Sequence, residues 1–385
     1  MDDFKRVRTA ATALAAVLAA GLAPGPARAE DRVLSDVVAF TGTIAFLSMD
    51  VPGMVIAAWR DGETAFAGFG ETDRGSGVEP DGDTLMRIAS VSKVFCGATL
   101  ASLVAEGEIG LTDALHDRLA EGYVVPDSEG HRLRVIDLVT QASGLPREVA
   151  QAPAPADDPF GGNTPEAQMA GLAGDPYLFP PGTGAFYSNY GYDLLGTALA
   201  TAGGRPYAEL LAERVLAPIG MVDTVFAPSE AQAGRMMRGH FFDGAPMAVV
   251  PSPETIECAG GLYSTANDML RWMGWNLDPA NADSEMRRLQ QAAWLYRDGL
   301  NPVVGFDDGG GDMDAMGLGW VIMMPEGNRP LILHKSGGLQ GQFTFLALAP
   351  AHGLGVFASI NQFSVAGFGT MVQAVNTLIT ELAPR

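Results

Sequence analysis

The sequence has only two cysteines in 385 residues and lacks the short motifs of common metallohydrolases. It contains neither an H-E-x-x-H segment nor a paired-cysteine pattern with zinc-ligand spacing. It also lacks a G-x-S-x-G turn, so its five histidines have no lipase-type nucleophile to serve. The sequence therefore predicts neither a metal nor another cofactor.

Positive charge is scarce. The 24 lysines and arginines are outnumbered by 45 aspartates and glutamates, which gives a net charge of −21. A surface this acidic repels nucleic acid and anionic lipid, and we interpret it as a device for solubility. Binding of an anionic ligand would need a local basic site, because the overall field opposes it.

A hydrophobic run long enough to span a bilayer is missing at the start of the chain. The apolar stretch over residues 10–22 is shorter than the roughly 20 residues that a transmembrane helix needs. Basic residues precede this stretch, and Ala27-Arg28-Ala29 follows it, as in a cleaved signal peptide. We expect removal of residues 1–29 and export to the periplasm, which would change the net charge from −21 to −23. Peripheral membrane association stays open.

The two cysteines, Cys96 and Cys258, lie far apart in the sequence. Export would allow a disulfide, but spacing alone cannot show that they meet. Cys96 lies in an apolar segment that reads as a buried helix, so the sequence favours two unpaired core thiols.

Strand patterns concentrate at the two ends of the chain, and helical patterns fill the middle. A hairpin is predicted around Asp61-Gly62, and an amphipathic helix is predicted from Phe368 to Leu382. Further strands are predicted near residues 318–323, 331–334, 343–348 and 354–358. Helices are predicted near residues 91–105, 133–140, 191–202, 207–216 and 266–275, and surface loops at 151–162 and 307–312.

These patterns predict an α/β (α+β) fold in which both ends of the chain build one antiparallel sheet flanked by helices. Residues 30–385 would form a single domain. Its sheet subdomain would cover roughly 30–85 and 315–385, and an all-helical subdomain roughly 86–314.

The first candidate catalytic motif is S-x-x-K, formed by Ser90 and Lys93. Residues three apart on a helix share a face, so the amine can reach the hydroxyl. Serine needs a base to act as a nucleophile, and lysine is basic only where burial or another cation lowers its pKa. The tetrad alone is weak, but the apolar segment that follows places the lysine on a mostly buried helix.

Two further motifs follow downstream. Tyr187 and Asn189 form a Y-x-N element at a predicted loop–helix junction, where the tyrosine could relay a proton and the amide could orient Lys93. Alone, this element would read as a packed tyrosine beside a helix cap. Lys335-Ser336-Gly337-Gly338 follows a predicted strand and could bind a substrate carboxylate, while the N–H groups of Ser90 and Gly338 could form an oxyanion hole.

Together these motifs resemble the serine β-lactamase and penicillin-binding protein superfamily. The Y-x-N element is similar to that of its class C branch, and the longer segments are most similar to the AmpH type of D-alanyl-D-alanine carboxypeptidase/endopeptidase. The likeness runs from about residue 40 to the C-terminus. The segments that carry it are Arg87–Lys93, Thr140–Glu148, Ala185–Asn189, Gly260–Thr265 and Gly317–Val321.

The resemblance implies a β-lactamase/transpeptidase-like fold with the active site in a cleft between sheet and helices. It makes Ser90 the nucleophile, Lys93 its base and Tyr187 a proton relay. It also makes Asn189 a positioning amide, and Lys335 with Ser336 the carboxylate site. Glu148 falls near a position that contacts ligand in the family.

Two departures from the family motifs stand out. Ser336 replaces a threonine but keeps its hydroxyl, and His334 allows an alternative H-x-G register that is common in esterase-like relatives.

The implied partners are peptidoglycan stem peptides, with β-lactam antibiotics as acylating ligands. The implied activity is D-alanyl-D-alanine carboxypeptidase/endopeptidase chemistry through a serine ester. A class C-like β-lactamase or promiscuous carboxylesterase is one alternative, and a penicillin-binding sensor without turnover is another.

Overall fold

The structure is a computed structural model that describes residues 32–151, 158–306 and 310–383. The expected signal peptide at residues 1–29 lies outside the described residues, as do parts of both predicted loops, at 152–157 and 307–309.

Helices are distributed along the whole described chain. In order they are α1 (Arg32–Leu47), α2 (Ser92–Ala105), α3 (Val135–Val139), α4 (Pro165–Leu172), α5 (Asn189–Gly203), α6 (Tyr207–Leu211), α7 (Ala217–Ile219), α8 (Glu230–Ala233), α9 (Glu257–Gly260), α10 (Ala266–Leu277), α11 (Glu285–Gln291) and α12 (Val365–Leu382). A 3-10 turn at Ala89–Val91 leads into α2, and a π-helical turn at Ala212–Leu216 joins α6 to α7.

The strands cluster towards the two ends of the chain, as predicted. They are β1 (Gly53–Arg60), β2 (Glu63–Gly70), β3 (Met86–Arg87), β4 (Ala185–Phe186), β5 (Tyr263–Ser264), β6 (Leu295–Tyr296), β7 (Val303–Val304), β8 (Ala315–Met316), β9 (Val321–Met323), β10 (Ile332–Leu339), β11 (Gln342–Ala349) and β12 (Leu354–Ile360).

Within the described residues, eight strands form one sheet in the order β2-β1-β12-β11-β10-β9-β8-β6. Every neighbouring pair in it is antiparallel. The N-terminal hairpin joins the C-terminal strands through β1 and β12, where Met54 pairs with Ile360. The predicted hairpin turn is present, and Asp61 and Gly62 adopt positive φ values of 49° and 93°, as a two-residue hairpin requires.

The sheet buries both faces, because alternate residues of a strand point to opposite sides. On β1, Val55 and Trp59 join the core beneath the helical region, whereas Met54 and Ile56 join a second core against α1 and α12. The predicted amphipathic C-terminal helix is therefore confirmed as a helix packed on the sheet.

Helix α2 runs through the first core and is buried on all sides from Ser92 to Leu103. Such a helix is apolar around its circumference, and its polar residues must find partners inside the protein. A lysine on α2 is thus removed from water by the fold itself.

The prediction of two unpaired thiols is wrong. Cys96 on α2 and Cys258 on α9 form a disulfide, with their Cα atoms 5.3 Å apart. Their separation of 162 positions in the sequence gave no local signal of proximity, because the contact depends on how α9 packs against α2.

No helix among the described residues has both the length and the apolar character needed to cross a membrane.

Candidate active site

Ser90 lies in the 3-10 turn that opens α2, and the residue before it has an unusual backbone. Ala89 has a φ of 50°, a left-handed conformation that is uncommon for a residue other than glycine. The hydroxyl of Ser92 donates to the carbonyl of Ala89 at 2.7 Å and accepts the N–H of Leu262 at 3.1 Å. The second serine of the motif therefore holds the turn that presents the first.

The S-x-x-K spacing brings the two predicted catalytic groups together. Lys93 Nζ lies 3.3 Å from Ser90 Oγ. It also donates to Asn189 Oδ1 at 2.8 Å and to the carbonyl oxygen of Ala259. The amine is thus fixed by Ser90 on its own segment and by two residues that are remote in the sequence.

The Lys93 side chain is fully buried. Burial lowers the pKa of Lys93, and the positive charge of Lys335 lowers it further, while the negative charge of an ionised Tyr187 and a hydrogen bond to Tyr187 act in the opposite direction. Both conditions set by the sequence argument, desolvation and a second cation, are met.

Tyr187 follows the two-residue strand β4, which pairs in parallel with β7. Its N–H donates to the carbonyl of Val304 at 3.1 Å. The next residue, Ser188, caps α5 by accepting the N–H of Gly191 at 2.9 Å. Capping therefore falls to Ser188, and the side chain of Asn189 is left to contact Lys93.

Three basic side chains lie around the Tyr187 ring. Lys335 Nζ and Arg147 Cζ each lie 5.0 Å from its centre, and Lys93 Nζ lies at 5.1 Å. Burial raises the pKa of Tyr187, but the charges of Lys335 and Lys93, with hydrogen bonds to Ser90 and Lys335, outweigh burial and lower this pKa to about 7. The phenol can therefore ionise near neutral pH.

Strand β10 carries the third predicted motif along the edge of the site. Lys335 is 3% exposed, and its Nζ donates to the carbonyl of Ser336 at 2.7 Å. His334 instead packs on Phe345, with ring centroids 5.5 Å apart, and Phe345 belongs to the core beneath α1 and α12. The side chain that faces Tyr187 is therefore Lys335, which favours the K-x-G register over the H-x-G one.

Gly337 lets β10 approach Ser90 closely. A methyl group at this position would lie 2.5 Å from the carbonyl oxygen of Ile88 and 3.0 Å from the backbone nitrogen of Ser90. A glycine is thus required where the strand meets the nucleophile turn. The oxyanion hole of Ser90 and Gly338 stays a prediction, and both residues line the same cavities.

Glu148 contacts Asn189 directly. Asn189 Nδ2 donates to Glu148 Oε1 at 2.6 Å, so the amide oxygen of Asn189 is turned towards Lys93. Arg147 Nε lies 3.8 Å from the same carboxylate oxygen.

Ser90 lines two cavities. The larger, about 370 Å³, is lined by polar groups that include Glu148, Asn163 and Asp193. The other, about 320 Å³, is lined by Tyr187 and Ser336 together with the apolar Phe343, Val365 and Phe368. Every predicted site residue therefore either lines these cavities or contacts a residue that does.

Four contributors to the site were not predicted from the sequence: Ser92, Arg147, Asp193 and the carbonyl of Ala259. Arg147 stands directly before Glu148, and Asp193 follows Asn189 by four residues on α5, so both could have been found by extending the motifs along their elements. The carbonyl of Ala259 had no such signal.

A family model described as Beta-lactamase matches residues 32–375. The chain belongs to the beta-lactamase family. This membership confirms the predicted resemblance and indicates a serine hydrolase.

The chain is similar to relatives that are named as a peptidase, a beta-lactamase and a penicillin-binding protein. The chain is 34% identical to the D-alanyl-D-alanine-carboxypeptidase/endopeptidase AmpH of Escherichia coli K12 over 359 residues, which cover 92% of this chain and 91% of AmpH. It is 27% identical over 346 residues to a beta-lactamase of Pseudomonas fluorescens, covering 81% of this chain and 89% of that one. It is 28% identical over 312 residues to penicillin-binding protein 4 of Amycolatopsis lactamdurans, covering 79% of each chain.

A crystal structure confirms the predicted fold class. The structure of a beta-lactamase/D-alanine carboxypeptidase from Yersinia pestis, complexed with citrate, matches with a TM-score of 0.84 and 32% sequence identity. The match covers 92% of this chain and all of that chain. This family member is therefore an AmpH homologue with the β-lactamase/transpeptidase fold.

Proposed function

We propose that this protein is a periplasmic, penicillin-binding D-alanyl-D-alanine carboxypeptidase/endopeptidase that acts on peptidoglycan stem peptides through an acyl-enzyme on Ser90. The observation that carries the proposal is the convergence of Lys93 on Ser90, with Tyr187 and Lys335 beside them. AmpH, which matches over nine-tenths of the chain, carries this activity in its name.

The contacts of Lys93 suit a neutral amine, which has two N–H donors and one lone pair. The two donors are accounted for by Asn189 Oδ1 and the Ala259 carbonyl. The lone pair then faces Ser90 Oγ at 3.3 Å and can accept its proton. As that proton leaves, Ser90 Oγ forms a bond to the carbonyl carbon of the penultimate D-alanine.

Tyr187 is placed to pass the proton onward. It lies between the two lysines, and its lowered pKa of about 7 lets it take and return a proton at neutral pH. When the tetrahedral intermediate collapses, the C–N bond breaks and the leaving amine receives this proton. Water then cleaves the Ser90 ester by the reverse sequence of proton transfers.

Lys335 and Ser336 supply the site for the terminal carboxylate of the peptide. The protein is strongly acidic overall, so a substrate anion needs a local cation, and Lys335 is buried beside Tyr187. The backbone N–H groups of Ser90 and Gly338 would stabilise the oxyanion.

Export to the periplasm fits the disulfide between Cys96 and Cys258, because such bonds form in oxidising compartments. It also agrees with the signal-peptide pattern of residues 1–29.

The test is to incubate the protein lacking residues 1–29 with pentapeptide muropeptides, nitrocefin and a short-chain ester, and to identify products by mass spectrometry. We expect release of D-alanine that disappears in Ser90→Ala. Ester or nitrocefin cleavage without release of D-alanine would refute the peptidase assignment and support the lactamase or esterase alternative. A stable penicillin adduct on Ser90 without turnover of any substrate would instead support the sensor.

A further inference from the structure

The cavity of about 370 Å³ beside Ser90 contains a carboxylate that the proposed mechanism does not use. Asp193 lies on α5, four residues after Asn189 and hence on the same helix face. Asp193 is only 2% exposed, and it lines the cavity. A carboxylate is rarely left in such a place without partners.

One oxygen of Asp193 is fixed by a chain of side-chain hydrogen bonds. Tyr123 Oη donates to Gln168 Oε1 at 3.1 Å, and Gln168 Nε2 donates to Asn163 Oδ1 at 3.1 Å. Asn163 Nδ2 then donates to Asp193 Oδ2 at 2.7 Å. This series of hydrogen bonds orients the carboxylate of Asp193 and leaves the second carboxylate oxygen unused.

That other oxygen, Asp193 Oδ1, is buried and has no hydrogen-bond partner among the described residues. An unsatisfied buried acceptor costs free energy, which a ligand donor entering the cavity would recover. Oδ1 therefore marks a position for an N–H or O–H group of a ligand.

The charges around this position favour a cation. Glu148 lines the same cavity, and its negative charge contributes to raising the pKa of Asp193. Of the basic residues near the cavity, Lys93 directs its N–H donors to Asn189 and Ala259, and Arg147, which also lines the cavity, lies 3.8 Å from Glu148. A ligand cation would favour the ionised form of Asp193 and pair with its unused oxygen.

We propose that Asp193, oriented by Asn163 and flanked by Glu148, recognises a primary ammonium group on the substrate in the cavity beside Ser90. The proposal deepens the proposed function, on which it rests, because it assigns this cavity to a peptide that carries a basic side chain near the scissile bond. Asp193 is then a specificity-determining residue, distinct from the lysine and tyrosine that move protons.

The test compares two peptides that end in D-alanyl-D-alanine and differ at the preceding residue, which is lysine in one and norleucine in the other. Binding is measured by calorimetry with Ser90→Ala, so that turnover plays no part. We expect the lysine peptide to bind at least about tenfold more tightly, and Asp193→Asn to abolish this preference without weakening the norleucine peptide. The control Glu166→Gln removes an exposed carboxylate outside the cavity and should keep the preference.

Equal affinity of Ser90→Ala for the two peptides would overturn the amine site, as would equal weakening of both peptides by Asp193→Asn.

A second experiment distinguishes failure of the amine site from failure of the proposed function. Butylammonium should competitively inhibit hydrolysis of an uncharged short-chain ester by the protein with Ser90 intact, and Asp193→Asn should relieve that inhibition. Inhibition without any peptide binding would support the amine site and refute the peptidase. Absence of both the inhibition and the peptide preference would refute the amine site.

Discussion

Lys335 Nζ lies 5.0 Å from the centre of the Tyr187 ring, so the residue proposed to bind the substrate carboxylate also sets the acidity of the residue proposed to move the proton. The charge of Lys335 is the largest of the effects that lower the pKa of Tyr187. In the proposed mechanism, substrate binding and proton transfer therefore share one cation, and we expect a change at Lys335 to affect both.

The pH dependence of acylation should report Tyr187. Its pKa of about 7 means that the phenolate, which accepts the proton, becomes populated as the pH rises through 7. We expect kcat/KM to rise with pH and to level off above about 8. Tyr187→Phe should lower kcat/KM about 10²- to 10⁴-fold and remove this rise. If kcat/KM of Tyr187→Phe still rises near pH 7, the acid limb of the profile belongs to another group.

Lys335 variants should separate the effect of the lysine charge on Tyr187 from the binding of the substrate carboxylate. Lys335→Met removes the cation, so the pKa of Tyr187 rises and the acid limb moves to higher pH, for ester and peptide substrates alike. Only substrates with a terminal carboxylate should also show a higher KM. Lys335→Arg keeps the charge and should leave the limb near its original position. An unchanged limb in Lys335→Met would contradict the electrostatic coupling.

Glu148 should act by positioning Asn189. Its carboxylate accepts from Asn189 Nδ2, which directs the amide oxygen to Lys93. Glu148→Ala frees the amide to rotate and should lower kcat about tenfold, because Lys93 loses a fixed acceptor. Glu148→Gln keeps an acceptor oxygen and should restore most of kcat. Equal loss in the two variants would show that the charge of Glu148, rather than the orientation of Asn189, matters.

The motifs that could be predicted from the sequence are those with a local geometry. Ser90 and Lys93 meet because they are three residues apart at a helix start, and Lys335 and Gly337 share a strand face. The antiparallel sheet could also be predicted, because short apolar runs separated by turn residues occur at both ends of the chain and Asp61-Gly62 marks a hairpin turn.

The features that escaped prediction depend on contacts between remote segments. The Cys96–Cys258 disulfide and the Ala259 carbonyl both come from α9, whose position against α2 leaves no mark in the sequence. Helix α1 was also missed, because exposed apolar residues such as Phe40 and Ile44 blur its amphipathic pattern.

The disulfide should support both the stability of the fold and the position of Lys93, the proposed base. It closes a loop across 162 residues, and loss of such a bond typically costs about 2–5 kcal/mol. The double variant Cys96→Ala/Cys258→Ala should therefore unfold at a lower denaturant concentration. Because Ala259 follows Cys258 and accepts from Lys93, kcat should also fall. Unchanged denaturation midpoints for the variant and for the parent with and without reductant would refute this role.

Asp193 should make the protein less stable as the pH rises. Burial raises the pKa of Asp193 in the folded state to about 8, with Lys93 acting to lower it and Glu148 to raise it. In the unfolded chain the same group has a pKa of about 3.9. Below about pH 4 the group is protonated in both states and contributes nothing. Between about pH 4 and 8 the folded state holds the extra proton, so the free energy of unfolding falls with pH.

Asp193→Asn removes this titration while keeping an acceptor oxygen for Asn163. Its melting temperature should therefore exceed that of the parent by an amount that grows from pH 5 to about 8 and then levels off. Glu257, whose pKa burial raises to about 7, has a dependence of the same sign, but it is present in both proteins and cancels in the difference. A constant difference across this range would show that Asp193 is already ionised in the folded state. A gain in stability on neutralising Asp193, together with loss of the preference for an amine, would mean that the protein keeps a destabilising carboxylate because its substrate requires it.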